Sequence, residues 1–123
     1  MPSVRFGHVV SIANHQNTVI EGISDIGAEV MGIAVYSPSI SKGRPCGNDR
    51  YISQMPCAVL MEGFLWFYPD NTDQLTRASK VYADADTGEI SFGAGGVELN
   101  WAKIVLIDEK QKRVLVKVDI SKA

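Results

Sequence analysis

Imidazole is the side chain most often used as a base or metal ligand near neutral pH, so the two histidines come first. His8 and His15 stand within or just after the first strand-like run, with no matched carboxylate or nucleophile signature around them. His8 falls on the apolar side of that run and reads as a hydrogen-bonded core histidine. No G-x-S-x-G elbow, H-E-x-x-H pair or paired-cysteine motif occurs. Cys46 and Cys57 each adjoin a proline, lie too far apart for a CxxC and have no neighbouring histidine. They offer no metal site. Without a secretory signal they are expected to be free thiols in a reducing compartment, with a disulfide between them left open.

Two short motifs invite a ligand and fail on spacing. Asp84-Ala85-Asp86-Thr87-Gly88-Glu89 begins like a calcium loop, which needs an oxygen ligand at position five, glycine at six and glutamate at twelve. Here Gly88, Glu89 and Gly95 occupy those positions, so the segment reads as a hairpin turn. Gly93-Ala94-Gly95-Gly96 resembles a phosphate cradle, but Val97-Glu98-Leu99 follows where a helix start or a Gly-Lys-Ser/Thr is required. Those glycines are expected to permit a positive-φ turn. Trp66 and Trp101, with Phe64, Phe67 and Tyr68, supply aromatic surface. The stretch around Trp66 is acidic, however, whereas nucleic-acid stacking platforms are ringed by basic groups.

The chain has 123 residues and 46% apolar side chains, which suits a single domain over residues 1–123 with its own core. A net charge of −2 argues against a nucleic-acid partner. No apolar run approaches the ~20 residues of a membrane helix, so no membrane partner is expected. Charge is unevenly spread. Residues 62–98 carry seven acidic and two basic side chains, and residues 99–123 carry six basic and three acidic. Such segregation suits head-to-tail contact with copies of the chain or with a partner, and equally suits solvated faces that cancel on folding.

Period-two alternation dominates, and it sets the elements that must position these residues. One half-buried strand is expected from Val4 through Val10, with others over residues 18–23, 29–36, 58–68, 80–83 and 89–92. Gly63 marks a bulge or bend within the fourth of these. On that strand Phe64, Trp66 and Tyr68 share one side, and Leu65 and Phe67 share the other, the core side. Residues 103–107 and 113–119 form a closing hairpin with Val114, Val116 and Val118 on one face. Helix is confined to one or two turns over residues 73–79, with Thr72 as N-cap. Residues 37–56, rich in proline and glycine, are expected to form one long irregular loop whose Lys42, Arg44, Arg50 and Tyr51 suit a contact arm, and which equally suits a merely mobile loop. The expected fold is all-β: a small β-barrel or sandwich of short antiparallel strands with that one long loop.

The order of these elements resembles the cement, or head-decoration, proteins of tailed bacteriophages. The resemblance runs from about Gly27 to Asp119. It is carried by Gly32-Ile33-Ala34-Val35, the apolar strand containing Glu62-Gly63, Ala78-Ser79-Lys80-Val81-Tyr82-Ala83-Asp84, the turn Thr87-Gly88-Glu89-Ile90-Ser91 and the strand Val114 to Val118. This chain has Ser79-Lys80 where that family often shows a Gly-Asp step. The resemblance implies a non-enzymatic structural protein without cofactor, assembled in the host cytoplasm. It would bind the major capsid protein on the outer capsid surface at subunit junctions, stabilise the shell against internal pressure and form dimers or trimers. Under that reading Arg5, Phe6, Arg44, Arg50 and Tyr51 are candidate capsid contacts, and Trp66 a candidate self-interface residue. A ligand-binding β-barrel using the aromatics around Trp66 is the alternative. An enzyme with a site scattered in sequence is the third class.

Overall fold

The computed structural model describes residues 4–12, 19–23, 29–37, 50–51, 57–70, 72–93 and 95–122. Eleven strands are seen there: β1 (Val4–Arg5), β2 (Val9–Ile12), β3 (Val19–Glu21), β4 (Glu29–Val35), β5 (Arg50–Tyr51), β6 (Ala58–Leu60), β7 (Glu62–Phe67), β8 (Lys80–Ala83), β9 (Ile90–Phe92), β10 (Val97–Asp108) and β11 (Arg113–Asp119). A single 3-10 turn, Ile120–Lys122, follows. The strands form three antiparallel sheets, ordered β7-β11-β10-β8-β9, β3-β2-β4-β6 and β1-β5. The fold is all-β, as expected, and takes the sandwich form rather than a closed barrel.

The layers follow from how strands alternate. Val9 and Val10 are consecutive and both fully buried, because the pleat sends them to opposite faces of the four-stranded sheet. Val9 and Ile33 join Val81, Leu99, Trp101, Ile104, Val114, Val116 and Val118 in the main core against the five-stranded sheet. Val10 and Ala34 point the other way and pack with Val4 and Tyr51 of the β1–β5 ribbon. The four-stranded sheet is thus the middle of three layers and is apolar on both faces. Each fully buried valine contributes on the order of 1.5–3 kcal/mol by leaving water.

The closing hairpin forms as the alternation predicts, with Val114, Val116 and Val118 fully buried on one face. Strand β10 starts earlier than expected, at Val97, and reaches this length through irregularities. One extra residue is accommodated between Ile104 and Leu106, and three between Glu98 and Lys103 opposite β8. These irregularities let both Leu99 and Trp101, and then Ala102 and Ile104, face the core.

Other expectations are corrected. The single strand from Val4 through Val10 is broken into β1 and β2 at Gly7, whose φ of 83° belongs to a turn. Gly7 N–H is drawn into a 2.7 Å bond to Ala34 O. The run over residues 58–68 is two strands in two different sheets, parted at Met61. Residues 73–79 form no helix. Two tight turns replace it, closed by Leu75 N–H to Thr72 O and Ser79 N–H to Thr76 O. The hydroxyls of Thr76 and Ser79 take the backbone donors of Ala78 and Thr76, a competition that unseats short helices without an apolar stripe. Within the expected long loop, Arg50–Tyr51 pair with β1. Its residues 38–49 and 52–56 lie outside the described residues.

The β8–β9 turn is built as its sequence suggests. Asp84 Oδ1 accepts the N–H groups of Asp86 and Thr87 at 2.8 and 3.0 Å, and Gly88 N–H returns to Asp84 O at 2.8 Å. This carboxylate is held below the usual range by those backbone hydrogen bonds. The turn docks on the middle sheet through Val9 N–H to Gly88 O and Ile23 N–H to Ala85 O, both 2.8 Å. Gly88 sits at φ 76°, and a Cβ there would collide with the Val9 carbonyl oxygen. Gly88→Ala is therefore expected to cost about 2–3 kcal/mol in a urea unfolding curve. An unchanged midpoint would show that the turn does not dock this way.

Candidate functional site

Large apolar side chains left in water are the surface feature that core packing does not account for. Strand β7 is an edge of the five-stranded sheet, and its side chains divide as the alternation predicts. Leu65 and Phe67 pack against the main core, while Phe64, Trp66 (37% exposed) and Tyr68 (68%) face outward. Tyr36, just past β4, is exposed as well. A recess of about 330 Å³ beside β7 is lined by Phe6, Val35, Tyr36, Trp66 and Tyr68 among others. Phe6 and Trp66, assigned from the sequence to different contacts, thus lie on one surface. Phe6 is fixed there by edge-on contacts to Tyr36 and Tyr51, with ring centroids 5.6 and 4.9 Å apart.

One face of the Trp66 indole is already occupied. The Arg113 guanidinium stacks over it at 4.0 Å from the ring centroid and is bound in turn by Asp108 Oδ2 at 3.0 Å. Asp108 and then Tyr68 hold the Arg113 pKa above its ordinary value. The stack fixes the indole in place. Trp101, in contrast, belongs to the main core.

Tyr51 is buried to 2% exposure. Its hydroxyl donates to Val35 O at 2.7 Å and accepts from Ser37 N–H at 3.0 Å. It supports Phe6 and the recess from beneath rather than forming their surface. Arg5 and Arg50 stand opposite one another in the β1–β5 register. Arg44 lies outside the described residues.

The Arg5 side chain is 34% exposed and its charge is paired with Glu21. Its guanidinium donates to both oxygens of Glu21, at 3.0 and 3.2 Å, and its backbone N–H donates to Glu21 Oε2 at 2.8 Å. His8 Nδ1 lies 2.8 Å from Thr87 O and 3.4 Å from Glu21 Oε2. The expected hydrogen-bonded histidine is found. Its carboxylate neighbour comes from a different strand, thirteen residues away in sequence. Burial pushes the Glu21 pKa up, but the Arg5 hydrogen bonds and the charges of Arg5 and His8 outweigh it, and the carboxyl is held below the usual range. This arrangement ties β1 to β3.

Among the described residues no group of three or more His, Cys, Asp or Glu is placed to hold a metal. Cys57 is a free thiol, and burial pushes its pKa up to about 11. Cys46 lies outside the described residues. The sequence reading missed Tyr36 and Glu21. Tyr36 carried a usable signal, an aromatic at the end of an apolar strand just before a proline-containing loop. Glu21 carried none, since only the packing of β1 on β3 brings it to Arg5.

Two outcomes follow for solution measurements. Glu21 has a lowered folded pKa, so its stabilisation is present above its unfolded value of about 4.5 and is lost as pH falls through the folded value. Glu21→Gln is expected to cost about 1–3 kcal/mol at pH 7 and to flatten the loss of stability below pH 4.5, measured by urea unfolding across pH. In a Cys46→Ser chain, Cys57 at pH 8 should alkylate about a hundredfold more slowly than an ordinary thiol, from the rise of 9.0 to about 11. Alkylation at the ordinary rate would show the thiol to be exposed.

A model of the XM1 gp53 minor capsid protein family matches residues 2–118. No curated protein and no solved structure matches the chain. The family match takes in nearly the whole chain, including all eleven strands except the last residue of β11. The chain belongs to the XM1 gp53 minor capsid protein family, structural proteins of the bacteriophage virion.

Proposed function

We propose that this chain works as a cement protein: it binds the outer surface of the capsid at junctions between major capsid protein subunits and stabilises the shell against internal pressure. The role is structural rather than catalytic. The observation that carries the reading is the aromatic surface of half-buried Phe6 and exposed Tyr36, Trp66 and Tyr68 along the β7 edge of a family member whose body is otherwise a conventional sandwich. Aromatic side chains supply large contact area at small conformational cost, and they are enriched where interfaces form. Many copies, each with a modest contact, would together hold a shell firmly. Arg5 and Arg50 lie on the neighbouring ribbon, and together with Arg44 they are proposed as the rim of the contact, with Tyr51 holding it from below.

The same recess is what a ligand-binding module would use, and its volume of about 330 Å³ is at the lower end for small-molecule sites. With Arg113 over one face of Trp66, a planar ligand has a single indole face on which to stack. The shell reading makes use of the whole strip, Tyr68 and Phe64 included.

The test is co-sedimentation of the purified chain with capsids from its native source. Wild-type chain is expected to travel with the particle. Trp66→Ala together with Tyr68→Ala is expected to weaken binding by tenfold or more while the circular dichroism spectrum stays unchanged. A wild-type chain that remains at the top of the gradient overturns the proposal. Unaltered binding by the double variant removes the aromatic strip from it.

A further inference from the structure

Cross-strand register places three lysines side by side on the outer face of the five-stranded sheet. Lys103 of β10 is directly opposite Lys117 of β11 on one side and Lys80 of β8 on the other. All three are exposed. Like charges directly opposite on adjacent strands repel and weaken a sheet, so this row is not explained by folding. Its neutralisation is partial. Glu98 reaches Lys80 at 3.2 Å, and among the described residues Lys103 and Lys117 make no ion pair. The adjoining Asp119 accepts from the Ser121 hydroxyl at 2.6 Å and the Ser121 N–H at 3.2 Å, and those bonds, with the charges of Lys122 and Lys117, hold its pKa below the usual range. Lys122 adds a further positive charge, lining with Lys103 and Lys117 a shallow recess of about 170 Å³. Exposed Phe64 stands directly opposite Lys117 on β7, giving the row an apolar end.

The complementary surface is on the same chain. The five-stranded sheet curls until its two edges approach, with Phe67 of β7 and Phe92 of β9 in edge-on contact at 5.9 Å. Beside that contact lies a recess of about 360 Å³ lined by Phe67, Tyr68, Leu75 and Phe92, with Asp70 and Glu89 supplying its charge. One molecule therefore carries both a basic, apolar-ended face and an acidic, aromatic-walled recess.

We infer that the lysine row Lys80–Lys103–Lys117 is a docking face for a second copy of this chain, whose recess carrying Asp70 and Glu89 receives the lysine side chains. The contact is head-to-tail, since the two surfaces differ, so it propagates around a ring or along a row of copies. It is salt-sensitive, because exposed charge pairs are screened over about 10 Å at 0.1 M salt and about 3 Å at 1 M. It shares Phe64 and Tyr68 with the shell-facing aromatic strip, but its test uses no capsids, so the two proposals fail separately.

Sedimentation equilibrium of the purified chain at about 0.05 M and about 1 M salt tests it. Self-association is expected at low salt, weakened tenfold or more at high salt. Lys103→Glu is the discriminating variant. It places an acid between Lys80 and Lys117, so the sheet is expected to unfold at higher urea while self-association falls tenfold or more. A side chain with only a structural role would not separate the two readouts in that way. Asp70→Lys with Glu89→Lys is expected to weaken association as well, and mixing that chain with Lys103→Glu chain to restore it. A wild-type chain monomeric at low salt overturns the inference, even if Lys103→Glu weakens capsid binding, since the partner would then be the shell. Association indifferent to Lys103→Glu overturns it equally.

Discussion

The fold depends on a sheet that is buried on both faces. Val9 and Val10, adjacent in sequence and both sealed from water, require apolar cover above and below the same strand. The five-stranded sheet supplies one cover and the β1–β5 ribbon the other. The backbone of β2 is equally committed: Val9 N–H goes to Gly88 O, Val9 O receives Gly22 N–H, and the Ser11 hydroxyl donates to Gly22 O. Glycines at 22 and 88 let the β8–β9 turn approach this strand at backbone distance, which a side chain at either position would prevent. The ribbon that carries Phe6 and Arg5 therefore rests on the middle sheet, and the aromatic surface inherits its shape from that layer.

What the sequence disclosed, it disclosed through period. Val114, Val116 and Val118 alternate cleanly, and the hairpin they build is the one observed. The same rule sorted Leu65 and Phe67 inward and set Phe64, Trp66 and Tyr68 on the other side, which proves to be exposed, though for Trp66 it left core and interface both open. Asp and Gly at the right offsets marked the 84–88 turn correctly. Period was misleading where a chain reversal preserved parity. Val4 and Val10 do face the same layer, yet Gly7 turns the chain between them, and alternation is blind to that. It was also silent on β10, where extra residues shift the phase between Trp101 and Ala102.

The candidate surface was legible in its residue types and less so in its grouping. Phe6 and Trp66 were both singled out, sixty residues apart, and only the packing of the β1–β2 turn beside β7 shows that they share a recess. Tyr51 looked like a contact because it sits in a basic, proline-rich segment, but its partners Val35 O and Ser37 N–H take its polar end inside. The lysine row illustrates the limit most clearly. Lys80, Lys103 and Lys117 are far apart in sequence, and their alignment is a property of register alone.

The crossing at Met61 has a mechanical consequence. Leu60 is the last paired residue of the middle sheet and Glu62 the first of the five-stranded sheet, so one covalent segment is sewn into both layers. From there β7 runs alongside β11 through six uninterrupted pairs, Glu62 opposite Asp119 to Phe67 opposite Val114. A tension drawn along this segment loads those pairs together, in shear, instead of peeling them singly. The seam adds a covalent tie between layers that are also joined by the shared core and by the backbone bonds of the β8–β9 turn. A body stitched in this manner transmits a pull across its width with little creep.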